Sequence, residues 1–143
     1  MSYRVGAALT VCLLALASVA VAQSGLSIKD EMKTVVDPAS GVVFAVGGEA
    51  DPANDPKPHL TDARWAEAAA AAEKLKTVAA ALADPARAKD QGAWLADAKQ
   101  MGDIADAALK AAKAKDGAAL STAANNLGDS CTTCHGKYKP QAG

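Results

Sequence analysis

The residues best suited to chemistry stand together near the end of the chain, in Cys131-Thr132-Thr133-Cys134-His135. Two thiols separated by two residues, with an imidazole next to the second, can form a disulfide, contribute to a zinc site, act as a redox dithiol or carry a covalent haem. On a helix, Cys134 and His135 lie three and four residues beyond Cys131, so all three side chains project from one side. That spacing strains a Cys131–Cys134 disulfide unless a helix begins between the two residues. A thioredoxin-like dithiol needs a strand–helix–strand setting, and no useful alternating strand pattern occurs after residue 22. Structural zinc takes four ligands; after residue 22 the remaining histidine is the distant His59, and no further cysteine exists.

The elements that would hold this motif begin after an N-terminal leader. Arg4 is followed by an apolar run from Val5 to Val21, broken by Gly6, Thr10 and Ser18 and closed by Ala20-Val21-Ala22. Basic, apolar, then small-x-small is the order of a secretory signal peptide, so residues 1–22 are expected to be cleaved. Retention as an anchor is the alternative, with about 17 apolar residues being marginal for a span. Cys12 sits inside the run and reads as part of the leader. Residues 23–143 are expected to form one exported, periplasmic domain.

Loss of Arg4 leaves 14 basic and 16 acidic side chains. That near balance, with no basic block and few aromatics, excludes a typical nucleic-acid binder. No further long apolar stretch follows, so stable membrane insertion is not expected after cleavage. Alanine makes up 31 of these 121 residues, and Phe44, Trp65, Trp94 and Tyr138 are the only aromatics. Alanine favours helix but buries little area, so such a core is short of apolar volume unless it wraps something the chain does not encode.

Four helical stretches are predicted. The first begins near Ser27 and carries Ile28, Met32, Val35, Ala39, Val42 and Val46 inward, with Pro38 kinking it or breaking it at Asp37. A proline-rich loop follows Gly47-Gly48. The second starts at Thr61-Asp62 with Trp65, Ala68, Ala72, Leu75, Ala79 and Leu82 inward, and stops at Asp84-Pro85. The third runs from about Asp90 to Lys115 on Leu95, Ala98, Met101, Ala105, Ala108 and Ala112. After the tight Asp116-Gly117 connection, the fourth carries Leu120, Ala124, Leu127, Cys131, Cys134 and Tyr138. The expected fold is all-α, an antiparallel four-helix bundle.

Covalent haem suits these features best. C-x-x-C-H is the attachment signature of c-type haem, attachment takes place outside the cytoplasm, and haem supplies apolar bulk. A helical bundle with one C-terminal CxxCH resembles the class II c-type cytochromes, the cytochrome c′ family. Tyr138-Lys139 resembles the family's usual close, with Lys139 where arginine is common. The family's arginine four residues before the distal position is Ile28 here, which leaves Lys29 and Lys33 for the haem propionates. The resemblance implies one haem c bound through Cys131 and Cys134, with His135 as proximal iron ligand.

The far face of the iron decides the function that this resemblance implies. In an antiparallel bundle His135 is level with the start of the first helix, where Met32 sits on the inward stripe. Six-coordinate relatives carry a first-helix methionine there and transfer electrons, so Met32 is the expected distal ligand. Reflecting His135 through the turn at Asp116 gives position 97, and Met101 lies four residues beyond, about 6 Å along the axis. Met101 is the rival, expected to pack the haem edge. Trp65, Trp94 and Phe44 are expected in the core or the haem wall. Asp97, Asp103 and Asp106 read as a solvated face, and no acid–base pair, phosphate loop or nucleophile–base pair marks an enzyme. The expected protein is a single-electron carrier with transient redox partners and a possible homodimer through the alanine-rich face of Ala66 to Ala72. The alternatives are a five-coordinate NO- or CO-binding protein and a haem-free thiol oxidoreductase.

Overall fold

The computed structural model describes residues 25–139, and every regular element among them is helical. The expected leader over residues 1–22 lies outside the described residues. α1 (Ile28–Glu31), a π-helical turn (Met32–Val36) and α2 (Asp37–Glu49) follow one another as the first helical stretch. Ser27 starts it, its Oγ accepting the Asp30 amide at 3.1 Å. Pro38 neither breaks the stretch nor is preceded by a cap at Asp37. The chain instead winds wider one turn earlier, where the Asp37 N–H donates to the Met32 carbonyl five residues back. The wider turn rotates the inward stripe. Ala39 and Val46 are buried as expected, but Val36 and Val43 replace Val35 and Val42, which are half-buried like Ile28 and Met32.

α3 (Asp62–Leu82) is capped by Thr61, whose Oγ1 accepts the Arg64 amide at 3.3 Å. Its whole predicted stripe is buried. α4 (Ala93–Ala114) begins three residues after the expected Asp90. Asp90 acts from outside the helix, its Oδ1 accepting the amides of Gly92 at 2.8 Å and Trp94 at 3.1 Å. Leu95, expected inward, is half-buried, and Trp94 takes the inward place. Lys115, in the left-handed region at φ 56°, turns the chain into Asp116. Asp116 caps α5 (Gly117–Tyr138) through the Ala119 amide at 3.0 Å.

Contacts at the ends fix the directions. Arg64 at the start of α3 pairs with Glu49 at the end of α2, and Lys115 after α4 reaches Asp62 at the start of α3 at 2.7 Å. Lys137 near the end of α5 reaches Asp97 near the start of α4 at 3.1 Å. Consecutive helices therefore run antiparallel, and α2 closes the bundle by packing on both α3 and α5. Among the described residues no helix is long and apolar enough to cross a membrane.

Small residues let the helices approach. A Cβ on Gly47 would stand 2.7 Å from the Ala124 Cβ, whereas a Cβ on Gly41, on the same helix, would meet nothing within 4 Å. Gly41→Ala is therefore expected to stabilise the fold by up to about 1 kcal/mol through helix propensity. Gly47→Ala is expected to destabilise it, because overpacking costs roughly 1–3 kcal/mol against the same gain. Denaturant midpoints of the two variants should move in opposite directions.

Candidate functional site

The alanine-lined bundle does not close at one end. Where the first helix and α4 begin, and α3 and α5 finish, it leaves a small cavity, partly open to solvent. The first helix contributes Met32 and Val36, and α3 contributes Leu82. α4 contributes Trp94, Asp97, Ala98 and Met101, and α5 contributes Ser130, Cys131, Cys134 and His135. Every residue singled out in the sequence for haem attachment or ligation borders this one space, both methionines included. Met101 is buried and Met32 half-buried.

Helical spacing on α5 turns Cys131, Cys134 and His135 to the cavity side, as residues three and four apart must be. The cysteines are half-buried free thiols, and His135 is exposed at the rim. Burial pushes both thiols up from their ordinary value, and the negative Asp97 pushes Cys134 further. A nucleophilic cysteine needs the opposite, an environment that favours thiolate. Among the described residues no three histidine, cysteine or carboxylate side chains converge as a metal-binding group.

Trp94 organises the cavity's base. Its Nε1–H donates to the Leu82 carbonyl at 2.6 Å, tying α4 to the end of α3. Its ring meets Tyr138 edge-on, with centroids 4.9 Å apart and planes at 78°. Tyr138 in turn donates its hydroxyl proton to Asp90. This chain of contacts holds the last turn of α5, and with it the CxxCH segment, against the start of α4.

One carboxylate departs from the sequence reading, and a second, which that reading did not single out, is buried as well. Asp97 does not belong to a solvated face: it is 8% exposed, lines the cavity, and is bridged by Lys137. Asp103 is exposed beside Lys99, and the half-buried Asp106 is held down to about 2 by Lys110 and Lys76. Glu31, immediately before Met32, is 3% exposed and pairs at 2.5 Å with Arg87 from the α3–α4 connection. The second terminal nitrogen of Arg87, Nη1, is buried without a hydrogen-bond partner. Neither pair carries a local sequence signal, because the partners are 40 and 56 residues apart. The antiparallel arithmetic that brought out Met101 does pass through position 97, however.

The aromatic expectations divide. Trp65 and Trp94 are buried, but Phe44 is 40% exposed and belongs to neither core nor cavity wall. The register shift of the π turn explains this, since it gives the inward place to Val43. His59 is exposed in its loop. Within the Ala66 to Ala72 segment, Ala68, Ala71 and Ala72 are spent on the bundle's own core.

Comparison with known proteins gives no match to a family model, a curated protein or a solved structure. The case for function therefore rests on the site.

Two expectations follow from the contacts around the cavity. Acceptance of its proton by Asp90 pushes the Tyr138 hydroxyl up to about 12. That bond contributes fully below the unfolded value near 10 and is lost as pH rises through about 12. Ultraviolet titration of wild type should show late tyrosinate formation, and Asp90→Asn should bring it back toward the ordinary range. Arg87→Ala leaves the Glu31 carboxylate buried without this partner, a change expected to cost roughly 3 kcal/mol in denaturant unfolding.

Proposed function

We propose that this chain is a periplasmic, monohaem c-type cytochrome of class II type that carries single electrons between transient protein partners. The observation that carries the reading is the single cavity bordered by Cys131, Cys134 and His135 on α5 and by Met32 on the first helix. The fit is chemical as well as geometric. The cavity is walled mainly by apolar side chains, with a few polar groups among them, as cofactor sites are. It lies at the end of the bundle that alanine leaves underfilled.

The haem, when bound, supplies a one-electron iron couple. Cys131 and Cys134 hold it covalently from one helix, which fixes its place without a large binding surface. His135 and Met32 would be the ligands to its iron, Met32 offering a soft thioether that would favour the reduced state relative to a second histidine. Met101, one layer further into the bundle, packs the apolar wall. Leu82, Trp94 and Val36 keep water out. The exposed Lys29 and Lys33, on the first helix beside Met32, are the cations expected to meet the haem's carboxylates. The exposed rim at His135 leaves an edge where a redox partner can dock through a small, short-lived contact. The raised thiols speak against a haem-free thiol oxidoreductase.

Expression of the full chain in a host that matures c-type cytochromes tests this directly. A Soret band that survives denaturation and acid-acetone extraction is expected, and its absence sinks the reading. Carbon monoxide should bind the reduced protein slowly and weakly, because Met32 must be displaced. Fast, tight binding would instead identify an open, gas-binding centre. Met32→Ala should change the ferric spectrum and speed carbon monoxide binding, while Met101→Ala leaves both nearly as they were.

A further inference from the structure

A carboxylate in the wall of an apolar cavity is held at a cost, because burial penalises an anion unless it is paired. Asp97 is 8% exposed and borders the cavity beside Cys134 and His135. Its partner lies on the other side. The Lys137 Nζ sits 3.2 Å from Oδ1 and 3.1 Å from Oδ2, on a side chain that is 44% exposed and does not border the cavity. The pair is thus oriented, with its negative end toward the cavity and its positive end toward water. Solvent screens the outer charge more than the inner one, so the net contribution of this pair to the field inside the cavity is negative.

A strut between helices does not need this arrangement. Lys76–Asp106 joins α3 to α4 with its acidic side chain 31% exposed, and Lys115–Asp62 joins the same helices with its acid 89% exposed. Asp97 alone among these acids is brought to the cavity wall.

We propose that Asp97, balanced from outside by Lys137, is the charge that sets the reduction potential of the haem centre; this rests on the haem reading above. The ferric centre carries one positive charge more than the ferrous centre. A negative charge in the wall therefore favours the ferric state and lowers the potential. For an electron taken from a reduced protein partner and passed to an oxidised one, Asp97 would set the energy through its charge, without touching the iron. Lys137 moderates the effect, so the two substitutions must act in opposite senses.

The test is spectroelectrochemical titration of the full-length haem-loaded protein, as wild type, Asp97→Asn, Lys137→Gln and Lys137→Arg. Asp97→Asn is expected to shift the midpoint upward and Lys137→Gln downward, with Lys137→Arg close to wild type. Ferric and ferrous spectra should remain those of wild type throughout, which separates a change of field from a change of ligand. Shifts of one sign in both variants, or no shift in variants that retain haem, would overturn the proposal and leave Asp97–Lys137 as a strut. If Asp97→Asn fails to accumulate, Lys137→Gln decides alone, and a rise or no change overturns the proposal. A wild-type chain without covalent haem would overturn the functional reading and this inference together. A haem-bearing wild type with unmoved potentials would overturn the inference alone.

Discussion

The volume that alanine can fill governs this structure. Helices contact one another through side chains, and where those are single methyl groups the backbones must come close to exclude water. Gly47 against Ala124, and Gly102 against Ala79, mark places where they do. The largest fully buried side chains are three leucines and two valines, Leu75, Leu120, Leu127, Val43 and Val46. None of these five borders the cavity. The end holding Cys131 to His135 is walled by long or aromatic residues, Met32, Met101, Leu82 and Trp94, that surround space rather than fill it.

An end left open in this way must be kept from collapsing, and polar contacts do that at the boundary. Trp94 ties the end of α3 to α4, and Tyr138 with Asp90 ties the end of α5 to the same place. Glu31 and Arg87 tie the first helix to the α3–α4 connection. The cavity is thus framed by directional bonds from three sides, with the apolar residues free to line it. Such bonds are worth little singly, but they resist shear between helices in a way that non-directional apolar contact does not.

Three of the four helical stretches were readable from caps and three–four spacing alone. Thr61, Asp116 and the alanine stripe of α3 behave as local rules say they should, because each depends on neighbours within a turn. The first stretch was misread by one position. A period of 3.6 cannot announce a π turn, and the stripe passed to Val36 and Val43, leaving Phe44 outside. The juxtaposition of Met32 with the CxxCH segment was legible from helix order and direction. The burial of Asp97 and Glu31 was not, since a charged residue on a helix reads as solvent-facing until its distant partner is known. Trp94 was expected in the core or haem wall and is there, but its ties to the Leu82 carbonyl and to Asp90, which caps α4 from outside, carried no sequence signal.

The placement of the two tryptophans has an optical consequence. Trp94 borders the cavity, while Trp65 is buried near the opposite end of α3. At 1.5 Å per residue, Trp65 lies about 26 Å along that helix from Leu82, which borders the cavity. A light-absorbing occupant of the cavity would quench the emission of Trp94 at contact range and that of Trp65 from much further away. Unfolding would change both together. The chain therefore carries two tryptophans that would report an occupant from different distances, one at the cavity wall and one far along α3.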